Sequence, residues 1–251
     1  MNKNKPKISI ITVSYNSEAT IEETIKSIIN QGYNNFEYLI IDGGSKDNTM
    51  SLVYKYRDNI DMIVSEPDKG ISDAFNKGIQ KSTGEIIGII NSDDLLLPNA
   101  LQVIADSYEE DIDVYRGNLI YWNVQTEEKS RTVPTMNFSV YSMRHKRVSH
   151  PSTFIRKDAY ERYAVYRINY RFSMDADLLT RFYEKGARMK YINADLAVFR
   201  QGGVTDRYSY WEKRKEIYGV VANNGGSKIW ALLITTKFVV SQFFKKILFR
   251  F

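Results

Sequence analysis

With 251 residues, 43% of them apolar, the chain has the material for one large core, which argues against disorder as its ground state. It contains no Cys, which excludes a disulfide framework, a thiolate metal site and a cysteine nucleophile; any metal must be held by oxygen or His. The net charge of +5 hides a division: residues 1–128 hold 11 Lys/Arg against 21 Asp/Glu, and residues 129–251 hold 24 against 9. An acidic half suits cations, and a basic half suits phosphates, phospholipid headgroups or nucleic acid.

Ile8 to Val13 is a short β-branched apolar run that predicts a buried strand. Ser17-Glu18 then starts a helix with Ile21, Ile25, Ile28 and Ile29 at helical spacing. Phe36 to Ile41 repeats the strand signal and ends in Asp42-Gly43-Gly44-Ser45, after which Asp47 caps a helix to about Tyr56. Ile60 to Val64 predicts a third strand, Asp68 to Gln80 a third helix and Gly84 to Ile90 a fourth strand. This alternation implies an α/β fold with a mainly parallel sheet and helices on both faces. The polar clusters after the four strands, Ser14-Tyr15-Asn16, Asp42 to Ser45, Ser65 to Asp68 and Asn91 to Asp94, can then line one rim, where open parallel sheets bind ligands.

Beyond Pro98 the pattern predicts a helix to about Tyr108, a strand over Val114 to Trp122 and a hairpin through Gln125 to Lys129. Met136 to Arg156 has no strong period and reads as loops around a site. Asp175 to Lys185 reads as a helix and Met189 to Phe199 as a strand before Gly202-Gly203. The stretch from Ile229 to Phe251 is apolar and aromatic but interrupted by Lys237, Gln242, Lys245 and Lys246, which is too short of the ~20 apolar residues a membrane span needs. Residues 1–227 are therefore expected to form one α/β domain, with halves of about 1–112 and 113–227. Residues 228–251 are expected to form an amphipathic helical tail whose apolar residues must be covered, either by an anionic membrane surface or by the rest of the chain or a second subunit. No secretory signal is evident at the N-terminus, and the expected location is cytoplasmic, peripheral at the inner face of the cell membrane.

Chemistry concentrates at Asn91-Ser92-Asp93-Asp94. Two adjacent carboxylates at a strand end can present oxygen to Mg²⁺ or Mn²⁺, which substrate phosphates usually complete. Asp42 is placed to accept from a base or ribose, and Tyr15 offers a ring face for stacking. Taken together, ISIITVSYN (8–16), IIDGGSKDNT (40–49), PDKGISDAFNKGI (67–79) and GEIIGIINSDD (84–94) resemble family 2 of the glycosyltransferases, whose GT-A fold is Rossmann-like. The resemblance covers about residues 6–205. It implies an inverting transfer from a nucleotide-sugar, with UDP the expected nucleotide and GDP or dTDP left open. The acceptor it implies is a saccharide or polyprenyl-linked saccharide of bacterial cell-surface polysaccharide synthesis.

That resemblance assigns Val13, Tyr15, Asp42, Asn76 and Asp93 to the donor nucleotide and Asp94 to the cation. Asn91 stands where many members have Asp, and so is at most a neutral ligand. In Met174-Asp175-Ala176-Asp177 it assigns Asp175 as catalytic base. Asp177 reads as a first-turn acid favoured by the helix dipole, with Arg181 paired to either acid. His150 leads a segment resembling the family's acceptor side, and Arg200, with Arg207, lies at a Gly-containing lid over residues 199–205 near the diphosphate. A sugar-nucleotide pyrophosphorylase would share the fold, but it opens with a Gly-rich phosphate loop that Ser14-Tyr15-Asn16-Ser17 lacks. A basic nucleic-acid-binding protein leaves the four strand-end clusters unexplained, so nucleic acid is not an expected partner.

Overall fold

The computed structural model describes residues 5–145, 148–201 and 209–237. One sheet runs through them. β1 (Ile8–Ser14), β2 (Phe36–Asp42), β3 (Met62–Ser65) and β4 (Ile86–Ile89) are parallel in the order β3-β2-β1-β4. The sheet continues through β8 (Thr153–Arg156), β6 (Val114–Trp122) and β9 (Met189–Arg200) to the two-residue β5 (Leu95–Leu96), and β7 (Lys129–Thr132) pairs with β6. In this second part β6 and β9 are parallel and the other pairings antiparallel, so the sheet is parallel across β1 to β4 and mixed beyond them.

The strands alternate faces as period-two sequences must. Ile8, Ile10, Tyr38 and Ile40 pack beneath α1 (Ile21–Ile29), α2 (Thr49–Tyr54) and α4 (Ala100–Asp106). Ile11, Val13, Leu39 and Ile41 face the core shared with α3 (Ile71–Lys81), α5 (Lys157–Arg162), α6 (Met174–Glu184) and α7 (Tyr210–Ala222). An eighth helix, α8, occupies 228–237. Each fully buried Ile contributes about 1.5–3 kcal/mol to this arrangement, and both faces of β1 are lined with them.

Four elements differ from the sequence reading. The 136–156 region contains β8, a central strand whose Thr153, Phe154 and Ile155 are all buried; at four residues it is too short to show a period. Gly88 makes room for it, because a Cβ there would lie 2.5 Å from the Phe154 ring. Helix α3 begins at Ile71, after Gly70 at φ +112°, later than the predicted Asp68. The short helix α5 and the thirteen-residue α7 were not foreseen.

The tail is divided. On α8, Ala231, Ile234 and Thr235 are buried, and Trp230 donates from Nε1 to the Val140 carbonyl (3.2 Å), whereas Ile229, Leu232 and Leu233 stay exposed. Gly202 to Thr205, Arg207, and the tail from Phe238 through Lys245, Lys246 and Arg250 lie outside the described residues.

Candidate active site

Parallel pairing sets Ser14, Asp42 and Ser65 side by side at the carboxyl ends of β1, β2 and β3. Asp42 is fully buried and engaged by its own rim: it accepts from Ser14 Oγ (3.1 Å), Ser45 Oγ (2.5 Å), Ser65 Oγ (2.7 Å), and the Gly44 and Ser45 amides (3.0 and 2.9 Å). Burial pushes its pKa up, but these donors outweigh burial and hold it below the ordinary carboxylate range. Asp42 therefore shapes the loop on which Tyr15, 63% exposed, presents its ring. Gly43 lets Tyr15 and Asp68 close over that loop, since a Cβ there would lie 2.5 Å from Asp68 Oδ2 and 3.4 Å from the Tyr15 ring.

Helix α1 holds the acidic cluster. Thr24 Oγ1 donates to the carbonyls of Ser92 (3.0 Å) and Asp94 (2.8 Å), Ser17 and Ser92 hydroxyls share a 2.7 Å hydrogen bond, and the Ser92 amide donates to the Val13 carbonyl (3.2 Å). Val13 thus serves the site through its backbone while its side chain lies in the core. Asp94 is fully buried. Its Oδ1 accepts the Arg200 amide (3.3 Å), and its Oδ2, like Asn91 Oδ1, has no partner among the described residues. Burial first, then the charge of Asp93, pushes Asp94 well above the ordinary carboxylate range. Burial likewise raises Asp93, against the opposing pull of Arg200 and His150.

Asp94 keeps a buried, unpartnered oxygen beside a second carboxylate, and the free oxygens of Asp94 and Asn91 are hard donors of the kind Mg²⁺ or Mn²⁺ takes. Among the described residues no group of three or more His, Asp or Glu assembles. The donor set therefore fits a cation completed by a diphosphate and not a protein cage. Arg200 stands beside the pair: its guanidinium is bound to Glu23 and lies over the Trp122 ring, 5.3 Å from the centroid.

On the other side of the cleft, Asp175 sits in the first turn of α6, and its Oδ1 is 2.9 Å from His150 Nδ1. The His150 ring stacks on Phe75 (5.0 Å, 9° between planes), and its Nε2 is buried with no partner among the described residues. A cavity of about 10 Å³ lined by His150, Tyr160, Tyr166 and Asp175 adjoins the pair and is large enough for one water at most. Tyr166 is driven up by burial, by Tyr160 and by its contact with Asp175.

Other expected residues take different places. Asn76 exchanges two hydrogen bonds with the Tyr166 backbone (2.8 and 3.0 Å), so it clamps the loop that precedes α6. Asp177 is fully buried and bound by Arg167 (2.8 Å), Arg181 (2.9 Å) and Asn224 (2.9 Å). Asp177 and Arg181 thus form an interior ion cluster, not a substrate site.

Two residues were missed. Arg116 is fully buried, donates from Nε to Thr153 Oγ1 (3.1 Å) and also reaches the Thr135 and Val148 carbonyls; burial lowers it to about 9 while Asp175 pulls it up. An Arg inside the apolar run of β6 was the available signal. Glu216, on α7, accepts three backbone amides at the start of α6 and carried no local signal.

A family model described as Glycosyl transferase family 2 matches residues 9–179. A relative from Escherichia coli, the UDP-Glc:alpha-D-GlcNAc-diphosphoundecaprenol beta-1,3-glucosyltransferase WfgD, is 35% identical over 113 residues, which are 44% of this chain and 45% of that enzyme. The Staphylococcus aureus TarS 1–349 structure in complex with UDP-GlcNAc aligns with a TM-score of 0.69 at 20% identity over 93% of this chain and 71% of that one. The Pyrobaculum calidifontis mannosyltransferase PcManGT, in complex with GDP-Man and Mn²⁺, aligns at 0.65 and 16% identity over 95% and 75%. At these identities the two structures show a shared fold. The family match spans more than half of the chain and contains both the acidic pair and the Asp175–His150 pair, and the chain belongs to glycosyl transferase family 2.

Proposed function

We propose that the protein moves a sugar, with inversion, from a nucleotide diphosphate sugar, UDP in the first instance, to a hydroxyl of a saccharide or lipid-linked saccharide acceptor in cell-surface polysaccharide synthesis. One observation carries this reading: antiparallel pairing of β4 with β8 sets the carboxyl end of β4, which runs into Asn91–Asp94, beside the start of β8, where His150 is hydrogen-bonded to Asp175. The acidic pair at the strand ends and the base at the start of α6 therefore face one cleft, as a donor phosphate and an attacking hydroxyl require.

In this reading Tyr15 stacks on the nucleotide base, the loop held by Asp42 supports it, and Asp93 meets the ribose or sugar-phosphate portion. Asp94, with Asn91 beside it, holds Mn²⁺ or Mg²⁺, which when bound offsets charge developing on the leaving diphosphate. Asp175 takes the proton of the acceptor hydroxyl. The oxygen attacks the anomeric carbon from the face opposite the diphosphate, the carbon–oxygen bond to phosphate breaks, and the nucleoside diphosphate departs. His150 orients the carboxylate, and Arg200 is close enough to turn from Glu23 to the diphosphate.

The membrane part of the proposal rests on α7 and α8, where exposed Trp211, Ile229, Leu232 and Leu233 lie among Arg214, Lys215, Lys228 and Lys237. Trp211, Arg214, Lys215, Tyr218 and Thr235 also line a groove of about 310 Å³. Basic and apolar groups on one surface suit an anionic bilayer interface. Among the described residues no helix is long and apolar enough to cross a membrane.

Calorimetry tests the central claim. UDP binds the wild type more tightly with Mn²⁺ than without, and Asp94→Ala removes that difference. A variant with unchanged Mn²⁺-dependent affinity refutes the assignment of the cation to Asp94.

A further inference from the structure

We propose that Glu216 is a positioning residue for Asp175, acting from outside the family-matched segment by fixing the turn into α6; the inference rests on Asp175 being the base. The family match ends at residue 179, and α7 lies beyond it. Glu216 Oε1 accepts the Arg171 amide (2.9 Å), and its Oε2 accepts the amides of Phe172 (2.9 Å) and Ser173 (2.8 Å). Three consecutive N–H groups aimed at one carboxylate leave residues 171–173 little backbone freedom, and Asp175 follows two residues later.

The local sequence does not supply this constraint. Ser173 occupies the N-cap of α6, a place where Ser ordinarily accepts a bond from the first helical turn, yet it makes no such bond and its Oγ is buried without a partner among the described residues. The constraint comes from the far end of the chain. The same end grips the segment twice more: Asn223 Nδ2 donates to the Tyr170 hydroxyl (3.1 Å) and Asn224 Nδ2 to Asp177 Oδ1 (2.9 Å). Residues 170–177 are thus held before, at and beyond the turn, with Asp175 between the grips. Its own side chain is then set by the 2.9 Å bond to His150.

A general base works only while its oxygen stays within hydrogen-bond reach of the attacking hydroxyl, and a displacement of about 1 Å can cost on the order of 10² in rate. Releasing the turn should therefore lower turnover and leave the nucleotide site, built on β1 to β4, unaffected. The helix outside the family core becomes part of the catalytic geometry.

The experiment uses the full chain and the sugar nucleotide that most raises its unfolding temperature in a panel of UDP-, GDP- and dTDP-sugars. Nucleotide release into water and nucleotide affinity by calorimetry are measured for wild type, Glu216→Ala, Glu216→Gln, Asp175→Asn and the Glu216→Ala/Asp175→Asn double variant. Glu216→Ala is expected to lower kcat by about 10- to 100-fold with nucleotide affinity within about twofold of wild type. Glu216→Gln keeps one acceptor oxygen and the side-chain shape, so it should fold like the wild type and recover part of the rate. In the Asp175→Asn background Glu216→Ala should add almost nothing, because both act on one step. Wild-type kcat in Glu216→Ala, or in Glu216→Gln should the alanine variant not fold, overturns the proposal, and so does an undiminished further loss in the double variant. Near-normal turnover in Asp175→Asn alone would remove the base assignment itself, an outcome read without reference to Glu216.

Discussion

Asp175 and Asp177 stand two residues apart on one helix, and their surroundings predict opposite consequences of losing each. Asp177→Ala leaves Arg181, whose side chain is 10% exposed, and Arg167 facing an interior without their shared carboxylate. Breaking a buried ion pair from one side costs about 3–5 kcal/mol, and at about 2–4 °C per kcal/mol for a chain of this size the unfolding temperature should drop by about 6–20 °C. Asp175→Asn keeps an oxygen that can accept from His150 Nδ1, so the fold should lose little. The variant cannot accept a proton, and turnover should fall by about 10²–10⁴, equivalent to about 2.7–5.5 kcal/mol of barrier. Thermal unfolding and nucleotide release per folded molecule, measured on both variants, separate the two roles. If Asp177→Ala unfolds within about 2 °C of wild type yet loses turnover, or if Asp175→Asn loses stability and keeps its rate, the assignment of base and ion cluster is wrong.

Glu37, at the opposite end of the sheet, is held down to about 2 because donors on Ser9, Thr83 and Lys7 outweigh the upward push of burial. A folded value below the ordinary 4.5 means the stabilisation is fully present above about pH 4.5 and is lost as pH falls toward 2. Wild-type unfolding free energy should therefore drop about 2–3 kcal/mol more than that of Glu37→Gln across this window, as measured by denaturant titrations at stepped pH; parallel curves would discount the network. Gly43→Ala, whose Cβ would press on Asp68 and the Tyr15 ring, should weaken UDP binding about tenfold, and unchanged affinity by calorimetry would remove that loop from the nucleotide site. The full chain should float with anionic phosphatidylglycerol vesicles, and serine at Ile229, Leu232 and Leu233 together should cut the floating fraction severalfold; a wild type that stays in the dense layer ends the membrane reading.

The donor half was legible because its signals are local. Apolar runs of four to seven residues ended in polar clusters, and parallel pairing alone brings those ends together: Ser14, Asp42 and Ser65 meet through register, not through any special contact. Roles within the rim were less legible. Asp42 reads from sequence as a ligand to the nucleotide, and what the sequence does not show is the five hydrogen bonds that tie its carboxylate to Ser14, Gly44, Ser45 and Ser65. Asn76 reads as part of the same site, and in the fold it clamps Tyr166 across 90 residues. Such contacts have no period and no fixed spacing, so a single sequence cannot announce them. The second half of the chain is built largely from them, which is why β8, Arg116 and Glu216 went unread, whereas α6, whose period is local, could be read.

The charge division needs the same distinction between what residues are and what they touch. An excess of cations after residue 128 suggests an anion-binding half, but much of it is answered inside the fold. Arg162 pairs with Asp113, Arg188 with Asp111, Lys190 with Glu109, and Arg167 and Arg181 with Asp177. Three of those acids come from the turn at 109–113 just before β6, so the acidic first half neutralises the basic second half across the sheet. Arg116 is buried under the base and serves no surface at all. The exposed cations of the described C-terminal helices, Lys215, Lys228 and Lys237, sit instead beside exposed Ile229, Leu232 and Leu233. Among the described residues, these cations of α7 and α8 are the ones that combine positive charge with exposed apolar groups. Glu216, which accepts the backbone amides of residues 171–173, stands on α7, one of the two helices that carry these cations.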